Sequence, residues 1–239
     1  MLKMGVGSNG KFELLEPATC PVCSKHTSLH DIPLHNDDYW WINCETCGHL
    51  WQYPPKVTAA YDAQYVAERY DKYDTTAAMS WLRLGLVKSV CQEGRLLDVG
   101  YGNGAFIKVA QKAGFDAYGW DVHGCAEKYG VTELGMCEVE WDVVTFFDSL
   151  EHFPSLDEIK RIKARNIIVS LPYRAEGSIP ALTWKHLRPG EHLQQFSPVS
   201  LAHLVSYAAP YRVKFVDLED SIRGKLDGKM NILTAVFYR

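Results

Sequence analysis

The spacing of hydrophobic and polar positions changes several times along the chain. Residues 57 to 91 place tyrosines at 61, 65, 70 and 73 ahead of "MSWLRLGLVKSV", a pattern that predicts helix. Beyond that point the period alternates. "RLLDVG" predicts a strand, "AFIKVAQKAG" a helix, "FDAYGWDV" and "WDVVTFF" strands, "SLDEIKRIK" a helix and "NIIVSLP" a strand. Ser155 and Glu158 are spaced as a capping box for the second of these helices. An irregular stretch over 171–196 comes next, followed by a helix with Ser197 at its N-cap and Pro198 at N1. "YRVKFVDLE" and "NILTAVFYR" read as two further strands, joined by the polar "DSIRGKLDGKM". Such alternation implies an α/β fold with a Rossmann-like, mostly parallel sheet covered by helices on both faces.

The first 56 residues follow another logic. Two CxxC pairs, Cys20 with Cys23 and Cys44 with Cys47, stand 20 residues apart, and "YWWINC" and "HLWQYP" look like ribbon strands. In a reducing compartment this spacing reads as a structural zinc site, a four-cysteine ribbon whose thiolates close the coordination shell. Gly48, directly after Cys47, supplies the permissive backbone of such a knuckle. Two disulfides would need an oxidising compartment that nothing in the sequence suggests. His26, His30, His35 and His49 could replace a ligand, but two complete pairs make them unnecessary. Pro54 and Pro55 end the module. The expected organisation is a zinc ribbon over 1–56, a helical link over 57–91 and an α/β domain over 92–239.

Composition narrows the class. The chain has 239 residues, 47% hydrophobic and 23% charged, which suits a globular protein. No apolar run approaches the roughly 18 residues of a membrane span. The N-terminus lacks a signal-like apolar core, so the expected location is cytoplasmic. A net charge of −4 advertises no polyanionic partner.

"LLDVGYGNGAF" then raises the question of a ligand. Gly100, Gly102 and Gly104 follow a strand and lead into a helix, where backbone N–H groups face a bound group. Asp121 ends the next strand, where a carboxylate accepts from ribose hydroxyls. The dinucleotide fingerprint is G-x-G-x-x-G, whereas this chain has G-x-G-x-G preceded by Asp98. A carboxylate beneath the loop suits an ammonium-bearing nucleoside better than a pyrophosphate, which points to S-adenosylmethionine.

"LLDVGYGNGAF", "GWD" and "WDVVTFFDSLEHFP" together resemble class I S-adenosylmethionine-dependent methyltransferases, most of all the ubiquinone-biosynthesis O-methyltransferase branch. The resemblance implies that Asp98 supports the loop, that Gly100, Gly102 and Gly104 pass under the methionine moiety and that Asp121 holds the ribose. It places Val122 beside the adenine, and Phe147 and Asp148 at the reaction centre. Only 19 residues separate Asp121 from Trp141, short for the family's helix and third strand, so a reduced sheet edge is expected. Together with the ribbon and "PGEHLQQFSP", the layout resembles methyltransferases of sugar and glycan pathways.

Methyl transfer from a sulfonium is an in-line displacement carried by positioning and desolvation. An acceptor hydroxyl must also lose a proton, a role suited to histidine. His152 in "DSLEHFP" is the first candidate base, His192 with its neighbour Glu191 the second and His186 the third. The acceptor is expected between the cofactor face and the 172–196 stretch, where Arg188 suits a phosphate or carboxylate on it.

The resemblance favours a small-molecule or glycan acceptor. A nucleic-acid or protein methyltransferase using the ribbon for target binding is the competing reading, and a non-catalytic zinc adaptor a weaker one. Residues 1–57 carry four lysines and no arginine against six acidic residues, which disfavours nucleic acid. The [DN]-P-P-[YF] signature of amino-methyltransferases is also missing where "FFDSLEH" stands.

Overall fold

In a computed structural model of the chain, the described residues are 4–6, 12–14, 18–27, 34–35, 39–69, 75–175, 184–207, 209–217, 219–223 and 231–239. They form two compact units. One comprises Met1–Ala59, Glu151–Asp157 and Pro172–Tyr207, the other Ala60–Leu150, Glu158–Leu171 and Ala208–Arg239.

The larger unit is built on six strands: β1 (Gly94–Val99), β2 (Phe115–Trp120), β3 (Trp141–Phe147), β4 (Ala164–Pro172), β5 (Arg212–Val216) and β6 (Ile232–Tyr238). Their order across the sheet is β5-β6-β4-β3-β1-β2. β1 runs parallel to β2 and to β3, β3 runs parallel to β4, and β5 and β6 pair antiparallel. β3 is buried at every residue except Asp142, as a strand covered on both faces must be. Helices α1 (Ala63–Arg69), α2 (Thr75–Lys88) and α3 (Ala105–Lys112) flank the sheet. Leu86 and Val87 of α2 and Ile107 of α3 pack with Leu96, Val143, Ile168 and Val236 into its core.

Two departures from the expected pattern have simple causes. After β2 the chain makes only a one-turn helix, α4 (Ala126–Tyr129), and a parallel bridge between Gly119 and Glu133. That bridge is all that stands for a third strand; the 19-residue interval leaves room for no more. The helix expected over "SLDEIKRIK" is instead a single 3-10 turn, Ile159–Arg161. Ser155 caps locally: its Oγ accepts from the Asp157 N–H at 3.2 Å and donates to the Asp157 carboxylate at 3.0 Å. Residues up to Asp157 belong to the other unit, and the few that remain before β4 cannot repay helix nucleation.

In the smaller unit, strands Trp40–Asn43 and Leu50–Tyr53 form a hairpin, flanked by Leu34–His35 on one side and by Gln194–Gln195 on the other. The last pair falls within the stretch expected to be irregular; it adds an antiparallel strand to the ribbon sheet. A second hairpin pairs Ala18–Thr19 with His26–Thr27. Helix α5 (Pro198–Val205) starts as expected, with Ser197 and Ser200 in a reciprocal capping box. Trp41, Leu50 and Leu187 form a small core with Trp184 packed against it. Among the described residues, no helix is long and apolar enough to cross a membrane.

Candidate functional site

The larger unit carries the glycine turn. Gly100 has φ +80°, and a Cβ placed on it would stand 2.4 Å from the Ser149 Cβ, so the backbone crosses where only glycine fits. The Ser149 hydroxyl ties the two strand ends by donating to the Val99 carbonyl at 2.6 Å. Gly104 sits at the N-cap of α3 with φ +70°. Beneath the turn, Asp98 is buried and accepts from the Thr145 hydroxyl at 2.7 Å. Burial pushes its carboxyl up to about 6, against the opposing pull of Thr145.

Asp121 links the two loops. Its carboxylate accepts from Gly102 N–H at 3.0 Å and from Val122 N–H at 2.7 Å, which leaves lone pairs for further donors. His123, which the sequence did not single out, braces this joint. Its Nδ1 accepts from Cys125 N–H at 2.9 Å, so Nε2 carries the proton donated to the Gly102 carbonyl at 2.8 Å. Tyr101 packs edge-on against that ring and donates to Glu133 at 2.8 Å. Val122 is 64% exposed, an apolar side chain available for stacking on a base.

At the end of β3, Phe147 is buried, with Phe106 edge-on to its ring and the Arg83 guanidinium 4.4 Å above it. Asp148 has φ 55°, a sparsely populated conformation for a non-glycine residue. Its carboxylate pairs with Arg83 at 2.9 Å and with Arg223, and both arginines also pair with the buried Glu219. Burial alone would raise Asp148; Arg223 and Arg83 more than reverse this and hold it at about 2. Arg83 is the one cation inside "MSWLRLGLV", a signal that could have revealed it from sequence. The tyrosines of the 57–91 segment divide. Tyr65 packs on the core and Tyr61 against Tyr65, whereas Tyr70 and Tyr73 lie outside the described residues.

The smaller unit brings together the four cysteines. Their sulfurs lie within 4.8 Å of one another, with Cys20 to Cys47 at 3.7 Å and Cys23 to Cys44 at 3.6 Å. Both knuckles have the same backbone: Ser24 N–H donates to Cys20 O at 3.0 Å and Gly48 N–H to Cys44 O at 2.7 Å, with φ of 59° and 68°. Four thiols on two matched turns fit a tetrahedral metal such as zinc. His49 is turned to Gln194, with Nε2 and Oε1 2.8 Å apart, rather than toward the sulfurs. Arg174 is buried and donates to the Gly48 carbonyl, buttressing the second knuckle.

The same unit gathers the candidate bases. The rings of His152 and His192 meet edge-on with centroids 4.7 Å apart, and His186 stacks on His192 at 6.2 Å. Burial first, then the neighbouring His152, pushes His192 down to about 3, so it is neutral and weakly basic near pH 7. Glu191 pairs with Arg188 Nη1 at 2.9 Å, and the arginine side chain is 36% exposed.

The sheet order and the glycine turn define a Rossmann-like methyltransferase. A family described as a methyltransferase domain matches residues 70–208, more than half of the chain, and the chain belongs to that family. Among solved structures it is similar to a SAM dependent methyltransferase from Archaeoglobus fulgidus, at 17% identity over 74% of this chain and 100% of that one, with a TM-score of 0.52. It is also similar to the plantazolicin methyltransferase BpumL, solved in complex with SAH, at 12% identity, 74% and 90% coverage and a TM-score of 0.50. No curated protein matches the chain. Fold and family together make the chain an S-adenosylmethionine-dependent methyltransferase.

Proposed function

We propose that the chain methylates a hydroxyl on a small acceptor, namely a sugar, a nucleotide-linked sugar or a glycan. The observation that carries this reading is the edge-on pairing of His152 with His192, with ring centroids 4.7 Å apart. A hydroxyl acceptor must surrender a proton, and His152 suits that task better than its neighbour, because His192 is held near 3. The Nδ1–H of His152 donates to the Glu191 carbonyl at 2.9 Å, which leaves Nε2 as the basic atom. Glu191 positions the loop and is not itself the base.

In this reading S-adenosylmethionine lies over Gly100, Gly102 and Gly104, with Asp121 on the ribose, Val122 beside the adenine and the Asp98 carboxylate beneath the turn. Phe147 and Asp148 close the methionine end, where Arg83 and Arg223 fix the carboxylate. Cys20, Cys23, Cys44 and Cys47 hold one structural zinc ion, and the thiols stay reduced in the cytoplasm. The net −2 charge of residues 1–57 supports a small acceptor over nucleic acid, since it would repel phosphates.

The test is to incubate the purified protein with methyl-labelled S-adenosylmethionine and fractionated cell extract. Label is expected in the sugar and nucleotide-sugar fractions. Label in RNA, DNA or protein instead would overturn the acceptor class.

A further inference from the structure

We propose that Glu151, His152 and His192 form a second metal site, distinct from the four cysteines, which takes a first-row divalent cation and leaves coordination positions open. One ligand atom from each of these residues lies within 4.8 Å of the other two. Glu151 Oε1 stands 3.8 Å from His152 Nε2.

The hydrogen-bond pattern shows which atoms face the centre. His152 Nδ1 is 2.9 Å from the Glu191 carbonyl, and His192 Nδ1 is 2.9 Å from the His186 carbonyl. A carbonyl oxygen only accepts, so each Nδ1 bears a proton and each neutral ring presents Nε2 as a lone pair. Histidine that ligates a metal is fixed in this way, with the remote N–H given to a backbone carbonyl or carboxylate. The backbone is equally constrained: Leu193 N–H donates to the Glu151 carbonyl at 2.8 Å, next to the strand pair Gln194–Gln195.

Two imidazole nitrogens and a carboxylate oxygen therefore lie close enough together to share one cation. Glu151 is 2% and His192 5% exposed, so bulk water screens neither. Two imidazoles and one carboxylate suit manganese, iron, cobalt or zinc better than magnesium or calcium, which prefer oxygen ligands throughout. Three protein ligands leave positions for water or an oxygen of the acceptor, unlike the closed four-thiolate set. On the proposed hydroxyl acceptor, a metal-bound oxygen would lose its proton more readily, with His152 then serving as ligand rather than base. That last step rests on the acceptor reading; the binding of metal does not.

Manganese separates the two metal sites, because Mn2+ prefers nitrogen and oxygen donors to thiolates. Protein loaded with one equivalent of zinc per chain, which the four thiolates take, is titrated with Mn2+ while the free ion is followed by electron paramagnetic resonance. One Mn2+ per chain is expected, with the zinc content unchanged. His192→Ala and the isosteric Glu151→Gln should weaken binding by more than the ~10–100-fold that losing an outer-shell partner costs. Because His192 is buried, the half-buried His152→Ala serves as a third variant, and each is first checked for a native melting transition. Absence of Mn2+ binding in the wild type, or its retention by the folded variants, would overturn the site. S-adenosylmethionine affinity measured by calorimetry on the same samples tests the methyltransferase reading separately, since its ligands include none of these residues.

Discussion

Gly102 and Asp121 are 19 residues apart and are joined by a backbone N–H donated to a carboxylate. His152 and Glu191 are 39 residues apart and meet through a ring nitrogen and a carbonyl. The first contact lies in a strand–turn–helix–strand unit whose geometry follows from local sequence. Positive φ at the turn, parallel pairing of β1 with β2 and burial of Asp98 each have one cheap solution. The second contact depends on a strand pair, Gln194–Gln195 against Leu50–Trp51, that unites distant parts of the chain. A site written in the backbone survives wide divergence in sequence, whereas one assembled from long-range side chains can change its chemistry with one substitution. Both regions fall within residues 70–208, which match the methyltransferase family, so they differ in how each contact is held.

The largest expected effect tests the framework of the second region. Cys44→Ser removes one of four thiolates and should abolish stoichiometric zinc. The cost to the smaller unit should exceed the ~4–5 kcal/mol that marks exceptional single substitutions, because structural metal binding is folding energy. Elemental analysis together with amide exchange across Trp40–Tyr53 measures both. Full zinc retention would mean that another residue completes the set.

Gly100→Ala attacks the first region. The new Cβ meets Ser149 at 2.4 Å and the backbone keeps φ +80°. Strained backbone and overpacking each cost about 1–3 kcal/mol. Urea denaturation should show a loss of roughly 2–5 kcal/mol, with cofactor binding lost alongside. A variant as stable as the parent would show that the turn can rearrange.

These contrasts mark how far the sequence could be read. Both CxxC pairs, the strand–glycine–helix unit and the Ser197 cap were legible because each is a local pattern with one physical solution. The 3-10 turn at Ile159–Arg161 was not, since a capping-box spacing says nothing of how many residues remain for a helix. The histidines were visible as residue types in suggestive places. Their pairing, and the arginines on Asp148, depend on long-range packing that no periodicity encodes.

Asp121→Ala should act mainly on the cofactor. Hydrogen bonds to a charged group are worth about 1.5–3 kcal/mol each, so affinity for S-adenosylmethionine should fall tenfold or more. Calorimetry gives the change directly. Unchanged affinity would show that the carboxylate only pins Gly102 to Val122 and that the ribose is held elsewhere.

The smallest expected effect is at Asp98, where burial holds the carboxyl at about 6 against an ordinary 3.8. A raised folded pKa means that the native state binds the extra proton. Its contribution to stability is therefore full below pH 3.8 and is lost as the pH rises through about 6. A cofactor bearing a sulfonium and an ammonium favours the ionised carboxylate and pulls this pKa down. Binding at pH 6 should release about half a proton, and binding at pH 8 almost none. Calorimetry in two buffers of different ionisation enthalpy measures the release, which should vanish in Asp98→Asn. A release that persists in Asp98→Asn but disappears in His152→Ala would move the proton from the glycine turn to the histidine cluster. The two regions would then be coupled through cofactor binding, and the contrast between a locally written turn and a cluster assembled over long range would fail.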